Sequence, residues 1–194
     1  MNIKRTRSFF IDFLILLVAY NIINIAFPNS DNVKRLIIEQ NEILENYTAR
    51  DIRFTKYLKN YSIVSKELDK ERVVPNLVYV LFTCLYFIVL PYLWKGRTIG
   101  SYINGIQIER FDNGKLHIKQ LIIRSVVVIG LGYLLLSNLL IFILPSKYYF
   151  IVKSILGIFQ VVIAVFSAYM ILFTKEKRGI QDLISNTEMA KIIK

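Results

Sequence analysis

Four long apolar segments dominate the chain, and each is long enough to cross a bilayer as a helix. A helix needs about 20 residues to span the roughly 30 Å hydrocarbon core. The segments cover residues 8–27, 73–94, 121–144 and 148–173. Only residues 145–147 separate the last two, which forces them to be antiparallel neighbours. The pattern predicts an all-α integral membrane protein, a four-transmembrane-helix bundle formed by a single domain over residues 1–194.

Residues 28–72, between the first two apolar segments, have a different pattern. Apolar side chains recur at helical spacing in two stretches, and Ser30 and Asp31 provide a cap before the first stretch. The recurring positions are Val33, Leu36, Ile37, Ile43 and Leu44, then Phe54, Tyr57, Leu58, Tyr61, Val64 and Leu68. We predict two external amphipathic helices that lie on the lipid headgroups or on each other. They form either a folded cap without a ligand or a surface that binds a partner.

The connection between the second and third segments has the character of a β-hairpin. Residues 102–110 alternate loosely between polar and apolar side chains. Asp112-Asn113-Gly114 contains a strong two-residue hairpin turn signal, and residues 115–118 can pair back. We therefore predict a small cytoplasmic β-hairpin at about 103–118.

Composition and charge agree with a membrane protein. Apolar residues make up 55% of the chain, against about 45–50% in soluble domains. The net charge of +11 would indicate nucleic acid in a soluble protein. Here, basic residues cluster in the N-terminal tail, in 95–120 and in the tail from Thr174, which places both termini in the cytoplasm. The expected partner is the lipid bilayer of a bacterial cell membrane, with no nucleic acid.

Asp12 and Arg124 are charged residues that lie at similar depth in the first and third segments. A carboxylate inside a membrane helix is costly unless it is paired, hydrated or used in function. An Asp12–Arg124 ion pair would satisfy both groups. Arg7 is the alternative partner, although it lies about 140° around the helix from Asp12. Asp12 is then either an ion or proton site or one half of a structural salt bridge.

Amides inside the apolar segments form a second set of candidate residues. They are Asn21, Asn24, Asn138 and Gln160. Such amides often join transmembrane helices through hydrogen bonds. They can equally line a hydrated path that leads toward Asp12. No nucleophile, metal-ligand or phosphate-loop pattern is present, so we expect no catalytic residue, no metal, no cofactor and no enzymatic activity.

Several motifs together resemble the RDD family of bacterial membrane proteins. They are Arg7 and Asp12 in the first segment, GRTIGSYINGIQI after the second, Arg124 in the third and RGIQDLISNT after the last. That family is named for one arginine and two aspartates, and the resemblance assigns these to Arg7, Asp12 and Asp182. We hypothesise that the C-terminal tail folds back, so that Arg7, Asp12, Arg124 and Asp182 form one charge cluster.

The resemblance also assigns a glycine-threonine segment and implies a departure from the family. The segment comprises Gly96, Thr98, Gly100 and Gly105. The closing motif of the family carries a histidine where this chain has Gln181, and glutamine cannot relay protons near neutral pH.

Two functions remain open on this basis. One is a transport component that moves cations or protons with Asp12 at its centre, built as a homo-oligomer or with another membrane protein. The alternative is a non-transporting scaffold or accessory protein, whose 28–72 helices bind an envelope partner or lipid.

Overall fold

The fold is mostly helical, with one small sheet. The computed structural model describes residues 2–112 and 114–192. The helices are α1 (Asn2–Ala26), α2 (Asp31–Thr48), α3 (Phe54–Glu71), α4 (Val73–Cys84), α5 (Leu90–Leu93), α6 (Ile99–Ile103), α7 (Ile118–Val128), α8 (Leu131–Ile143), α9 (Ser146–Phe173) and α10 (Ile180–Ile184). A π-helical segment, Leu85–Val89, joins α4 to α5, and the strands are β1 (Ile106–Arg110) and β2 (Thr187–Lys191).

Among the described residues, three helices are long and apolar enough to cross a membrane. They are Ile3–Ala26, Val73–Leu93 and Ser146–Phe173. The pair α7 and α8 adds a fourth crossing if it counts as one span, but its two halves are bent by 75°. The chain is therefore a membrane protein with three or four candidate spans.

The bend in the predicted third span lies at Gly130. This glycine has a φ of +71°, which L side chains rarely adopt. A Cβ at this position would lie 2.9 Å from the Gln160 side chain. Gln160 Nε2 donates to the carbonyl of Val127 at 3.0 Å, close to the break. The Gln160 side chain thus provides a partner for a backbone carbonyl at the break in the helix. In apolar surroundings such a carbonyl must find its hydrogen bond within the protein.

Both helices predicted within residues 28–72 are present. The Ser30 side chain accepts a hydrogen bond from the Val33 N–H at 3.2 Å and caps α2. The two helices pack on each other, and α3 also packs along the first half of α9. Ser62 Oγ donates to the Ser146 carbonyl at 2.5 Å, and Lys66 Nζ donates to the Leu144 carbonyl at 2.7 Å. Residues 28–72, which we call the insertion, are therefore fixed to the α8–α9 connection.

The predicted hairpin at 103–118 is wrong, although its first strand exists. β1 pairs antiparallel with β2 of the C-terminal tail, with Ile108 opposite Met189. Residues 114–117 contain no strand and lead directly into α7, where the His117 N–H donates to Gln120 Oε1 at 3.0 Å. Asn113 of the proposed turn lies outside the described residues. β2 supplies the better partner because its alternate side chains are buried, with Met189 in the hydrophobic core.

Each strand follows a short helix, and the two helices begin and end in the same way. In α6, the Thr98 N–H donates to the Ser101 side chain at 2.7 Å, and Gly105 follows the helix with a φ of +65°. In α10, the Gly179 N–H donates to the Asp182 side chain at 3.0 Å, and Asn186 follows with a φ of +50°.

The ladder between the two strands is symmetric about its central pair, Ile108 and Met189. Aligning one helix–strand unit on the other places Ile108 on Met189, and these two residues also face each other in the ladder. An antiparallel pair centred on equivalent residues is symmetric under a half-turn. The two-stranded ribbon formed by β1 and β2 covers the hydrophobic core at one end of the molecule, which we call the ribbon end. The core residues there are Val80, Ile88, Ile106, Ile108, Leu121, Leu131 and Met189.

Candidate functional site: two buried carboxylates

Asp12 is buried at the ribbon end, where protein donors surround its carboxylate. The side chain of Tyr86 donates to Oδ1 at 2.5 Å, and the Gly100 N–H donates to the same oxygen at 2.9 Å. Thr98 Oγ1 donates to Oδ2 at 2.8 Å. Two of these three donors belong to the start of α6, so the carboxylate joins that segment to α1.

The residues that follow the second candidate span have two features that favour binding of the Asp12 carboxylate. Thr98 is the N-cap of α6. The N–H groups at the start of a helix lack partners within it and favour a negative charge nearby. Gly100 permits the close approach, because a Cβ there would lie 2.4 Å from the Ser8 carbonyl oxygen and 2.6 Å from Asp12 Oδ1. The π-helical segment in the second span carries the third donor, Tyr86.

The other members of the glycine-threonine segment shape the backbone. Gly96 has a φ of +78°, and a Cβ there would lie 2.0 Å from the Ile108 carbonyl oxygen. The Ile108 N–H donates to the Gly96 carbonyl at 2.8 Å. Gly105, also at positive φ, ends α6 and starts the turn into β1. These two glycines position the ribbon, while Thr98 and Gly100 bind Asp12.

Asp182 is the second buried carboxylate and is completely inaccessible to solvent. Arg5 Nη2 lies 2.5 Å from Oδ2, and Arg124 Nη1 binds Oδ1. The Gly179 N–H also donates to Oδ2, at 3.0 Å. Burial raises the pKa of the Asp182 carboxyl, but the two guanidinium groups and the Gly179 N–H outweigh burial and hold this pKa below its ordinary value. The carboxylate is therefore ionised at neutral pH.

The two arginines extend this cluster into the backbone and the ribbon. Arg5 Nη1 donates to the Lys177 carbonyl at 2.6 Å, and Arg124 Nη1 donates to Thr187 Oγ1 at 3.1 Å. The cluster of Arg5, Arg124 and Asp182 therefore joins α1, α7 and the C-terminal tail. Removing one partner from such a buried, hydrogen-bonded ion pair is strongly destabilising.

The four charged residues that were predicted to form one cluster do not all meet in the structure. Arg124 and Asp182 are paired, and the tail folds back as hypothesised. The predicted Asp12–Arg124 pair is wrong, because none of the ion pairs between described residues involves Asp12. Arg7 is exposed, and Arg5 occupies the position that was assigned to it.

Helical periodicity identifies Arg5, which the prediction missed. Seven residues before Asp12, Arg5 lies only about 20° away around the helix. The buried positions of α1 form one stripe with this spacing: Arg5, Ser8, Asp12, Leu16, Ala19 and Ile23. Tyr86 was also missed, and the apolar run around it gives no signal that would distinguish it from a core aromatic residue.

The four amides have separate partners. Asn21 and Asn138 donate to carbonyls of their own helices, those of Leu17 and Leu134, both at 2.8 Å. Asn24 accepts from Arg72, and Gln160 lies at the α7–α8 break. None of the hydrogen bonds between described residues joins two of these amides.

Gln181 lies beside the Asp182 cluster in the position where the resemblance implies a histidine. Its side chain is buried and accepts a hydrogen bond from Ser167 Oγ of α9. A Cβ at Gly179 would lie 2.5 Å from Ser167 Oγ, so this glycine allows α10 to pack closely against α9. The amide is therefore a structural link between α10 and the last candidate span.

The sequence model of the RDD family matches residues 3–186, nearly the whole chain. The chain belongs to the RDD family. No curated protein and no solved structure matches it. In residues 2–112 and 114–192 of this RDD protein, no group of three or more His, Cys, Asp or Glu side chains is placed to hold a metal ion.

Proposed function

We propose that this RDD protein is a non-transporting, non-enzymatic membrane scaffold or accessory protein. In this proposal, Asp12 and Asp182 hold the helices together at the ribbon end, and the insertion at 28–72 binds an envelope partner or lipid. The observation that carries the proposal is the group of donors that meet the Asp12 carboxylate, which includes Thr98, Gly100 and Tyr86 and also the Ser8 side chain.

The donor set favours a fixed role for Asp12. A buried charge is tolerated when hydrogen bonds satisfy its oxygens, and removing those bonds is costly. A carboxylate that carries a cation must exchange its partners during each cycle. Exchange at Asp12 would require its carboxylate to leave Thr98 and Gly100, and so to break the hydrogen bonds that join α1 to the start of α6.

The same proposal places the ribbon end in the cytoplasm of a bacterial cell. The N-terminal tail carries three Lys or Arg and no acid, and residues 95–120 carry five with two acids. Basic residues in short flanking segments favour the cytoplasmic side. The expected protein partner is a second copy of the chain or another membrane protein.

Transport of cations or protons through Asp12 is the second candidate, and one observation favours it. The segment that carries Tyr86 is π-helical, and π-helical turns often occur at functional sites. Because a few helices enclose little volume, this function would require a homo-oligomer to complete a pathway.

Flux measurements in proteoliposomes distinguish the two functions. The wild type is compared with Asp12→Asn and with Asn21→Ala, a control at an exposed amide of the same helix. We expect equal background fluxes of H⁺, Na⁺ and K⁺ in all three proteins. A flux that the wild type and Asn21→Ala share and Asp12→Asn loses would support transport and contradict the accessory role.

A further inference from the structure

A groove of about 610 Å³ lies between the insertion and the first half of α9. Its walls come from α2, α3, α8 and α9. Binding sites for small ligands commonly have volumes of about 300–1,000 Å³. The groove is therefore large enough for part of a lipid molecule, and its two ends differ in polarity.

The polar end contains an ion pair that is reachable from the groove. Lys153 Nζ binds Asp69 Oδ2, and the hydroxyl of Tyr149 donates to the same oxygen at 2.7 Å. The Asp69 and Lys153 side chains are 21% and 28% exposed. Gln40 Nε2 donates to Ser65 Oγ at 2.9 Å in the same region. One acid and one base give this end a net charge of zero.

The apolar end follows one face of α9 away from that pair. It is formed there by Gly157, Ile158, Val161 and Val162. Gly157 leaves the groove open because it has no side chain, and a Cβ there would only touch Tyr133, at 3.6 Å. The other three side chains are each more than half exposed.

The length of α9 places these two ends at different depths. Its 28 residues extend about 42 Å, whereas the hydrocarbon core is about 30 Å thick. The excess belongs to the N-terminal end, which carries Lys147 and Lys153 and packs against α3. Lys153 lies seven residues, about 10 Å, from the start of the helix. The ion pair is thus at headgroup depth and the apolar face at acyl-chain depth.

We infer that the groove binds a phospholipid with a zwitterionic headgroup. The headgroup ammonium faces Asp69, the phosphate faces Lys153, and one acyl chain lies along Gly157, Ile158 and Val161. The neutral ion pair complements a zwitterion. An anionic headgroup has no ammonium group to face Asp69, so its negative charge would be repelled by that carboxylate. This inference rests on the accessory role proposed above, since it names the lipid that the insertion would hold.

Lipid retention by the full-length protein tests the inference. The protein is reconstituted in nanodiscs with equal amounts of phosphatidylethanolamine and phosphatidylglycerol, then released, and native mass spectrometry counts the retained lipids. We compare Val161→Trp, which fills the groove, with Ile155→Trp outside it; the two native side chains are 61% and 60% exposed. Gly157→Leu and Gly157→Ala form a second pair, in which only leucine blocks the chain.

We expect the wild type, Ile155→Trp and Gly157→Ala to retain phosphatidylethanolamine at least tenfold over phosphatidylglycerol. Val161→Trp and Gly157→Leu should each retain at least tenfold less phosphatidylethanolamine than the wild type. Absence of retained lipid, equal retention of the two lipids, or equal retention by the two tryptophan variants would overturn the lipid site. These outcomes leave the accessory role intact, whereas an Asp12-dependent flux overturns that role without altering lipid retention.

Discussion

Arg5 and Asp182 lie 177 positions apart in the sequence, and their side chains meet at 2.5 Å at the ribbon end. This contact joins the start of the first candidate span to the tail that follows the last one. Arg124 binds the other oxygen of the same carboxylate. The arrangement makes the two ends of the chain interdependent, which has measurable consequences for stability.

Replacing Arg5 by alanine should destabilise the protein much more than replacing Arg7. Arg5→Ala leaves a completely buried carboxylate with one guanidinium instead of two, and breaking a buried pair costs on the order of 3 kcal/mol. Arg7→Ala is the matched control because Arg7 is exposed, and such changes usually remain within about 0.5 kcal/mol. Denaturant unfolding in detergent measures both variants. Equal losses would show that the Arg5–Asp182 contact does not stabilise the fold.

Acid should remove the contribution of Asp182 to stability. Its pKa in the folded protein is below the ordinary value, so the stabilisation is present above the unfolded-state pKa of about 3.9 and is lost as the pH falls through the folded-state value. The melting temperatures of wild type and Asp182→Asn are compared from pH 7 to pH 3. The difference should shrink below about pH 4, and a difference that stays constant would contradict the assignment.

Gly100→Ala should be poorly tolerated, whereas Gly157→Ala should be nearly neutral. The new Cβ at position 100 would lie 2.4 Å from backbone, while that at position 157 has its nearest neighbour at 3.6 Å. Overpacking of this kind typically costs about 1–3 kcal/mol. Melting temperatures of the two variants give the comparison, and an unchanged value for Gly100→Ala would rule out the close approach of α6 to α1.

A cross-link across the ribbon tests its topology. Glu109 faces Glu188 in the ladder, and Lys191 lies three positions further along β2. In a Cys84→Ser background, Glu109→Cys with Glu188→Cys should form a disulfide, since facing residues of an antiparallel pair have Cα atoms about 4.5–5.5 Å apart, within the range that a disulfide bridges. Glu109→Cys with Lys191→Cys should not. A mass shift on reduction reports the bond, and its absence from the facing pair would favour another partner for β1.

Periodic patterns predicted the local structure well. The apolar segments, the two insertion helices, the Ser30 cap and the strand at 106–110 are all visible in residues close in sequence. The hairpin failed because the turn signal at 112–114 favours a partner strand close in sequence, whereas β1 pairs with residues 187–191 of the C-terminal tail. Pairing between distant strands leaves no local trace, so the choice of partner for β1 required the structure.

The candidate site was predicted only in part. Its two carboxylates, Arg124, Thr98 and Gly100 were named as site residues, but the contacts of Thr98, Gly100 and Tyr86 with Asp12 were not predicted. The Gly100 N–H is backbone, and Tyr86 lies in an apolar run, so neither leaves a polar signal in the sequence. Arg5 differs, because its seven-residue spacing from Asp12 places both side chains on one face of α1 and is visible in the sequence, whereas Arg7 lies on another face.

If Asp12 stabilises the fold by binding the start of α6, its effect on stability depends on Thr98. A double-mutant cycle with Asp12→Asn and Thr98→Val measures this dependence, from free energies of unfolding of the wild type, both single variants and the double variant. We predict a coupling energy between the two residues of about 1–3 kcal/mol, typical of hydrogen-bonded neighbours. Additive effects, with no coupling beyond about 0.5 kcal/mol, would contradict this role of Asp12.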